Sequence, residues 1–453
     1  MSGAYTRLCS SVLFPMQERL KGHDSVGMLR ELERTQWRAP GEIETVQLER
    51  LRTFLQSVGW HVPYYRELFR RHGFDPARID SAADLRVLPF LDKGTIRANV
   101  EALKSDAAGK LVRYNTGGSS GEPLVFYMGM GRVSHDVAAK WRATRWWGVD
   151  IGDPEVVLWG SPVELGKQDR VKALRDRLLR SHLLPAFEMS DERMGRYLDA
   201  IARIRPKMLF GYASALALLA THAERRGRVL SDCGAKVAFA TGETLYPGQR
   251  GVIERVFGAP VANGYGSRDA GFIAHQCPQG SLHLSAEHIL VELVDEAGRP
   301  VAPGERGEIV TTHLATGDFP FVRYRTGDVA VLGTEPCTCG RGLPVLREVF
   351  GRSTDFVRTR AGNTMHALAL IYELRDRPSV RAFKLTQEAD YSLDLQVVVS
   401  PEFTAEVEAS IRAGIMARMG GDAALIIRRV TAIPPDKSGK YRYVVSRVDT
   451  DVV

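Results

Sequence analysis

No apolar run in this chain approaches the roughly 20 residues that a helix needs to cross a bilayer, so a helical integral membrane protein is excluded. Cysteine is scarce: Cys9, Cys233, Cys277, Cys337 and Cys339 are the only five among 453 residues. An odd, sparse count argues against a disulfide framework. No internal repeat or low-complexity tract stands out, which removes solenoids and disordered polymers. Near the amino terminus the apolar Val12-Leu13-Phe14 is short and Pro15 interrupts it, so no signal peptide is read there and a cytoplasmic location is expected.

What remains is an ordinary globular composition, 44% hydrophobic and 25% charged, in a chain long enough for more than one domain. The formal net charge of +7 can attract nucleic acid, but it serves small anionic substrates equally well. Arg170, Lys172, Arg175, Arg177 and Arg180 recur at helical spacing, with Val171, Leu174, Leu178 and Leu179 between them. That pattern reads as a solvated helix face, with a binding surface as the alternative.

The first ~110 residues carry helical stripes, as in Gln47 to Leu55. Beyond them strand, loop and helix alternate. Glu155–Trp159, Pro206–Gly211, Lys236–Ala240 and Pro260–Tyr265 read as strands, and Ser134–Trp147, Ser214–Arg226 and Tyr246–Val256 as helices. This rhythm predicts an α/β fold with a mostly parallel sheet, whose ligands bind at the carboxyl ends of the strands. From about Leu290 to Val331 the pattern turns β-rich. After Gly351 a smaller unit begins, with strands at Ala382–Thr386, Leu393–Val399 and Leu425–Ile427 and a helix over Ala405–Met419.

The most informative segment is Thr116-Gly117-Gly118-Ser119-Ser120-Gly121-Glu122-Pro123, between the strand-like Leu111–Tyr114 and Leu124–Tyr127. Glycines allow close backbone approach, and successive N–H groups with hydroxyls can cradle an anion. No Gly-Lys-Ser/Thr follows, so this is not a Walker loop.

Five further segments follow in a fixed order: Ala240-Thr241-Gly242-Glu243-Thr244, Gly264-Tyr265-Gly266-Ser267-Arg268-Asp269, Tyr324-Arg325-Thr326-Gly327-Asp328, Gly351-Arg352-Ser353-Thr354-Asp355 and Ser438-Gly439-Lys440. With these six motifs in order, over nearly its whole length, the chain resembles the acyl-adenylate-forming superfamily, and within it the phenylacetate–coenzyme A ligase-like family. Val62-Pro63-Tyr64-Tyr65-Arg66 and Leu88-Pro89-Phe90-Leu91-Asp92-Lys93 are similar to that family as well. The resemblance implies a large amino-terminal AMP-binding domain over 1–350, of parallel sheets with a small barrel-like subdomain, and a mobile α+β lid domain over 351–453. It also implies ATP, Mg²⁺ and, as co-substrate, coenzyme A.

By the same resemblance, Thr116, Gly117, Gly118, Ser119, Ser120 and Gly121 hold the phosphates that leave as pyrophosphate. Gly242, Glu243, Thr244, Tyr265, Gly266 and Ser267 surround the nucleotide. Asp328 accepts two ribose hydroxyls, which suits a carboxylate, and Arg352 lies near the ribose and phosphate. Asp269 stands where the family has a glutamate that helps to hold Mg²⁺, and Lys440 is the catalytic lysine. Phe210, Tyr212 and Ala213 lie where the family lines its acid-binding cavity, and His135 is a further candidate there. The chain departs from the family at Ser119-Ser120, Leu124, Asp269 and the hinge residues Thr354-Asp355.

Cys277, His283, Cys337 and Cys339 form a second constellation, the donor set of a closed structural zinc site. Free thiols, or a Cys337–Cys339 pair on its own, are the alternatives. The expected activity is ATP-dependent conversion of a carboxylic acid to acyl-AMP, then transfer to coenzyme A. The alternatives are an amine or hydroxyl acceptor, or a zinc-containing binding protein without catalysis. No nucleic-acid partner is expected, and the oligomeric state stays open, a homodimer being one option.

Overall fold

The computed structural model describes residues 2–115, 124–159, 170–186, 189–352, 356–360, 364–366, 368–375, 377–420, 423–434 and 443–448. The loop from Thr116 to Pro123, the hinge residues Thr354 and Asp355, and Lys440 lie outside them. Contacts divide the chain into two compact units, Met1–Thr326 with Ala330–Val349, and Gly327–Val329 with Phe350–Val453.

The larger unit opens with helices α1 (Ser2–Leu8), α2 (Phe14–Leu20), α3 (Ser25–Thr35), α4 (Pro40–His61), α5 (Pro63–His72) and α6 (Lys93–Ala98). A π-helical turn over Cys9–Leu13 joins α1 to α2. Pro15 accounts for it: without an N–H it cannot pair with the carbonyl four residues back, and a wider turn absorbs the mismatch. Strands β1 (Val112–Asn115) and β2 (Val125–Met128) pair antiparallel, with Asn115 opposite Val125, so they bracket the glycine-rich segment. Helix α7 (Met130–Trp146) follows directly.

The central sheet then builds from β3 (Glu155–Trp159), β4 (Ser181–Pro185), β5 (Met208–Tyr212), β6 (Val237–Thr241) and β7 (Val261–Ser267), in spatial order β4-β3-β5-β6-β7, all parallel. Helices α8 (Arg170–Leu178), α9 (Asp191–Ile204), α10 (Ala213–Arg225) and α11 (Pro247–Phe257) intervene in sequence. β5 and β6 are buried at every position. The two-residue period explains this. Val156, Leu158, Leu209, Ala238 and Ala240 pack with α9, α10 and α11, while Met208, Phe210, Val237 and Phe239 pack with Ala143 of α7. Each buried aromatic of this kind contributes about 2–3 kcal/mol.

Beyond β7 the ladder turns antiparallel through β8 (Gly271–Gln276) and β9 (Leu282–Leu284), and the same sheet continues through β13 (Val345–Arg352), β12 (Tyr324–Leu332), β11 (Arg306–His313) and β10 (Ile289–Val294). The β-rich stretch of the sequence is thus an extension of the parallel half.

The smaller unit carries a separate four-stranded sheet, ordered β18 (Leu425–Arg429), β17 (Leu393–Val399), β16 (Val380–Gln387) and β19 (Val444–Ser446). It also holds the short pair β14 (Phe356–Arg358) and β15 (Thr364–His366), and helices α12 (Leu368–Arg375) and α13 (Ala405–Met419).

Candidate functional site

The parallel strands end side by side, and three sequence motifs end with them. At the end of β5 the Tyr212 ring stacks on Trp159 from the end of β3, with centroids 4.1 Å apart and planes at 22°. Trp159 also meets Phe210 at 6.0 Å, and Phe210 stacks on Phe239. Gly242, just past β6, lies against the Tyr212 ring. The Glu243 carboxylate accepts the Ser214 N–H at 2.8 Å, at the amino end of α10, where a negative charge meets the free N–H groups and the helix dipole. Thr244 is half-buried in the same turn. Ala213 opens α10 and is fully buried. The Thr241 hydroxyl donates to the Gly264 carbonyl at 2.7 Å and ties the ends of β6 and β7 together.

At the end of β7 the chain turns through Tyr265, Gly266, Ser267, Arg268 and Asp269. Only glycine fits at Gly266, because a Cβ there would lie 2.2 Å from the Gly271 carbonyl oxygen. Asp269 is buried, and its carboxylate accepts the Ser267 hydroxyl at 2.5 Å and the Tyr324 hydroxyl at 2.6 Å. Arg132 of α7 donates to the backbone carbonyls of Arg268 and Asp269, each at 3.2 Å. The Arg268 guanidinium reaches the Asn115 carbonyl at 3.3 Å, on the last described residue before the glycine-rich segment.

Tyr324 opens β12, four residues before Asp328. Its neighbour Arg323 has a left-handed backbone (φ 51°), a conformation that costs a non-glycine residue about 1–2 kcal/mol. Two Glu292 oxygens at 3.1 Å and the Leu88 carbonyl at 2.6 Å hold its side chain. Leu91 pairs with this strand through Leu91 N–H to Arg323 O and Arg325 N–H to Leu91 O, both at 2.9 Å. Asp328 is half-buried on β12 and Arg352 ends β13.

Four side chains distant in sequence meet between β8, β9 and the loop before β13. Every ligand atom of Cys277, His283, Cys337 and Cys339 lies within 4.8 Å of the others. The Cys277 and Cys337 sulfurs are 3.7 Å apart, and Cys339 Sγ is 3.2 Å from His283 Nε2. His283 Nδ1 lies 3.2 Å from the Leu343 carbonyl. A carbonyl can only accept, so the proton sits on Nδ1 and the Nε2 lone pair faces the thiols, as a metal ligand requires. Burial pushes the Cys277 thiol up to about 11. Against its own burial, Cys337 is held below its ordinary value by the Ser281 hydroxyl and the Cys339 N–H. The set can hold a metal ion, and binding would displace the remaining thiol protons. Arg341 lies over both Trp37 and Trp146, and Gly342 N–H donates to the Gln36 carbonyl, docking the knuckle on the end of α3.

His135 belongs to a different neighbourhood from Tyr212. It is fully buried on α7, edge-on to His288 at 5.1 Å and to His313 at 4.7 Å. Neither ring nitrogen of His135 has a hydrogen-bond partner among the described residues. Although His135, Asp136 and His313 also cluster within 4.8 Å, their chemistry does not suit a dication. Both Asp136 oxygens accept from Arg132 Nε at 3.0 and 3.1 Å. His313 Nδ1 accepts the Ala315 N–H, which leaves the proton on Nε2. Arg142, fully buried, adds a second cation, paired with Glu287 at 2.6 Å.

Sequence reading thus named Tyr212, Gly242, Glu243, Tyr265 and Asp269, which the fold gathers at one end of the sheet. It passed over Arg132, Tyr324's contact and Trp159's stacking. A tryptophan closing a strand directly after a buried run was the available signal for the last.

Comparison with known proteins agrees with this geometry. Residues 358–447 match the family described as the CapK C-terminal domain. The chain is 22% identical over 407 residues to protein CapK of Staphylococcus aureus, covering 89% of each. It is 25% identical over 441 residues to the phenylacetate–coenzyme A ligase of Thermus thermophilus, covering 89% of this chain and 96% of that one. A crystal structure of 2-hydroxyisobutyryl-CoA ligase in its postadenylation state superposes with a TM-score of 0.74, at 21% identity and over 92% of each chain. By the extent of these matches, the homologues of this chain are CapK and the phenylacetate–coenzyme A ligases, and its α/β sheet with a separate carboxy-terminal sheet is the fold of the adenylate-forming CoA ligases.

Proposed function

We propose that the protein joins a carboxylic acid to coenzyme A in two half-reactions. In the first, a carboxylate oxygen attacks the α-phosphorus of ATP; the bond to the bridging oxygen breaks, and acyl-AMP and pyrophosphate form. In the second, the thiol sulfur attacks the acyl carbon, its proton is lost to solvent and AMP leaves. The observation that best supports this reading is the 2.6 Å hydrogen bond from Tyr324 to Asp269. It ties the strand that carries Asp328 to the loop that carries Tyr265, as a nucleotide site built from both motifs needs.

In this reading Thr116 to Gly121 receive the leaving phosphates, Asp328 the ribose hydroxyls and Tyr265 the adenine. Gly242, Glu243, Thr244, Gly266 and Ser267 shape the floor around them. Lys440 and Arg352 neutralise charge that builds on the α-phosphate, the largest electrostatic demand of the step. Mg²⁺ would supply further charge neutralisation, and Asp269, a buried carboxylate at the end of β7, would help to hold it. Phe210, Tyr212 and Ala213, joined by Trp159, form the proposed acyl wall. His135 supports the polar layer behind it and does not touch the acid. Cys277, His283, Cys337 and Cys339 hold a structural zinc ion that fastens the loop after β8 to the loop before β13.

Exchange of labelled pyrophosphate into ATP, measured against aryl, fatty and hydroxy acids, should respond to one class of acid. No exchange with any of them, from folded and zinc-replete protein, would end the proposal. A second reading differs at the acceptor step alone, with an amine or hydroxyl in place of the thiol. Mass spectrometry of products formed from acyl-AMP and mixed acceptors separates the two.

A further inference from the structure

The helix formed by α1, the π turn and α2 turns its apolar stripe outward. Thr6, Cys9, Phe14 and Glu18 face the core, while Leu8, Val12, Met16 and Leu20 are 45%, 50%, 56% and 82% exposed. These four recur every fourth residue and form one line along the helix. The stripe extends onto α8. The Tyr5 hydroxyl donates to the Leu178 carbonyl at 2.8 Å, and the Cys9 thiol lies 3.6 Å from the same oxygen. Leu174 and Leu178 of α8 are themselves exposed, at 59% and 44%.

Along this helix the exposed charge has one sign. From Ser2 to Lys21 the exposed charged residues are Arg7, Arg19 and Lys21. The single acid of that segment, Glu18, is buried and accepts from Ser25, Lys21 and His23. On α8 Arg177 is exposed and Asp176 is paired with Arg175. Large apolar side chains in a row, with Arg7, Arg19 and Lys21 as the exposed charges between Ser2 and Lys21, fit the interface of an anionic bilayer, where leucines enter the acyl boundary and lysines and arginines meet lipid phosphates. A second copy of this chain fits less well, because a two-fold contact would set Arg7, Arg19 and Lys21 against the same cations.

We propose that this face, α1 through α2 with the carboxyl end of α8, docks the protein reversibly on an anionic lipid surface. The binding lies flat on the bilayer and needs no spanning segment; no described helix is long and apolar enough to span. It is independent of the ligase reading.

Co-sedimentation of the full chain with phosphatidylcholine vesicles, and with vesicles containing phosphatidylglycerol, tests it. Binding is expected only to the second kind, weakening as salt rises past the range where surface charges are screened. Leu8→Asp and Leu20→Asp should each weaken it by roughly tenfold with an unchanged melting temperature, since both side chains are exposed. Absence of binding to anionic vesicles, with sedimentation equilibrium giving either a monomer or a dimer, overturns the proposal. Binding that the Asp variants leave unchanged overturns it too.

Discussion

Asp269 shows how a single position was half legible. Its place in a Gly-Tyr-Gly-x-x-acid motif could be read from the sequence, and the fold puts it at the end of the parallel strands. The partner that fixes it could not be read, because the Tyr324 hydroxyl comes from 55 residues away and the Arg132 guanidinium from 137 in the other direction. Local patterns do not encode such pairs; only the order of strands in the sheet does. Tyr324 is fully buried, so Tyr324→Phe keeps the ring packing and deletes one hydrogen bond to a charged group, worth about 1.5–3 kcal/mol. Pyrophosphate exchange should fall by at least about tenfold, while circular dichroism stays that of the parent. Exchange at the parental rate would show that the link between the two motifs is dispensable.

Among elements, the strongly periodic ones were legible. The Ala405–Met419 helix and the Leu393–Val399 strand lie where the pattern put them, and the strands ending at Trp159 and Tyr212 within a residue or two. Strand β4 was missed, since Ser181-His182-Leu183-Leu184-Pro185 is a short edge strand with no alternation, placed only by pairing with β3. The convergence of Cys277, His283, Cys337 and Cys339 was legible in the sequence and its anchorage was not. Gly342 packs so tightly on α3's trailing residues that a Cβ would meet the Arg38 carbonyl oxygen at 1.9 Å, and no sequence rule reports that approach. Cys339→Ser removes one of three thiolates, so zinc measured by plasma mass spectrometry should drop from about one per chain to a small fraction. The melting temperature should fall with it, because the proposed ion would join the loop after β8 to the loop before β13. Parental melting in zinc-free protein would assign these cysteines no structural metal.

Across the whole molecule, the strand and helix pattern led to an expected smaller unit after Gly351, whereas nothing led to an expected polar layer inside the larger one. Nothing in the spacing of His135, His288 and His313 announces that they converge. Burial depresses the pKa of each, and the Arg132, Arg142 and Arg50 guanidinium groups depress them further. For His135 the Asp136 carboxylate opposes this without reversing it, its charge being shared with Arg132. The folded protein therefore keeps these rings neutral, while the unfolded chain protonates them near pH 6.5. Their contribution to stability is fully present above that pH and is lost as pH falls below it toward the depressed folded values. Each ring adds a slope of up to about 1.4 kcal/mol per pH unit, and His275, which burial first and Arg142 next depress to about 3, adds another. The melting temperature should be flat between pH 7 and 8 and fall steeply from about 6.5 to 5. Zinc release in acid would also lower it, and His135→Asn separates the causes: that variant loses about a quarter of the slope while its zinc content tracks that of the parent at every pH. A melting temperature level to pH 5, or a slope unmoved by the substitution, would mean that the layer admits protons without cost.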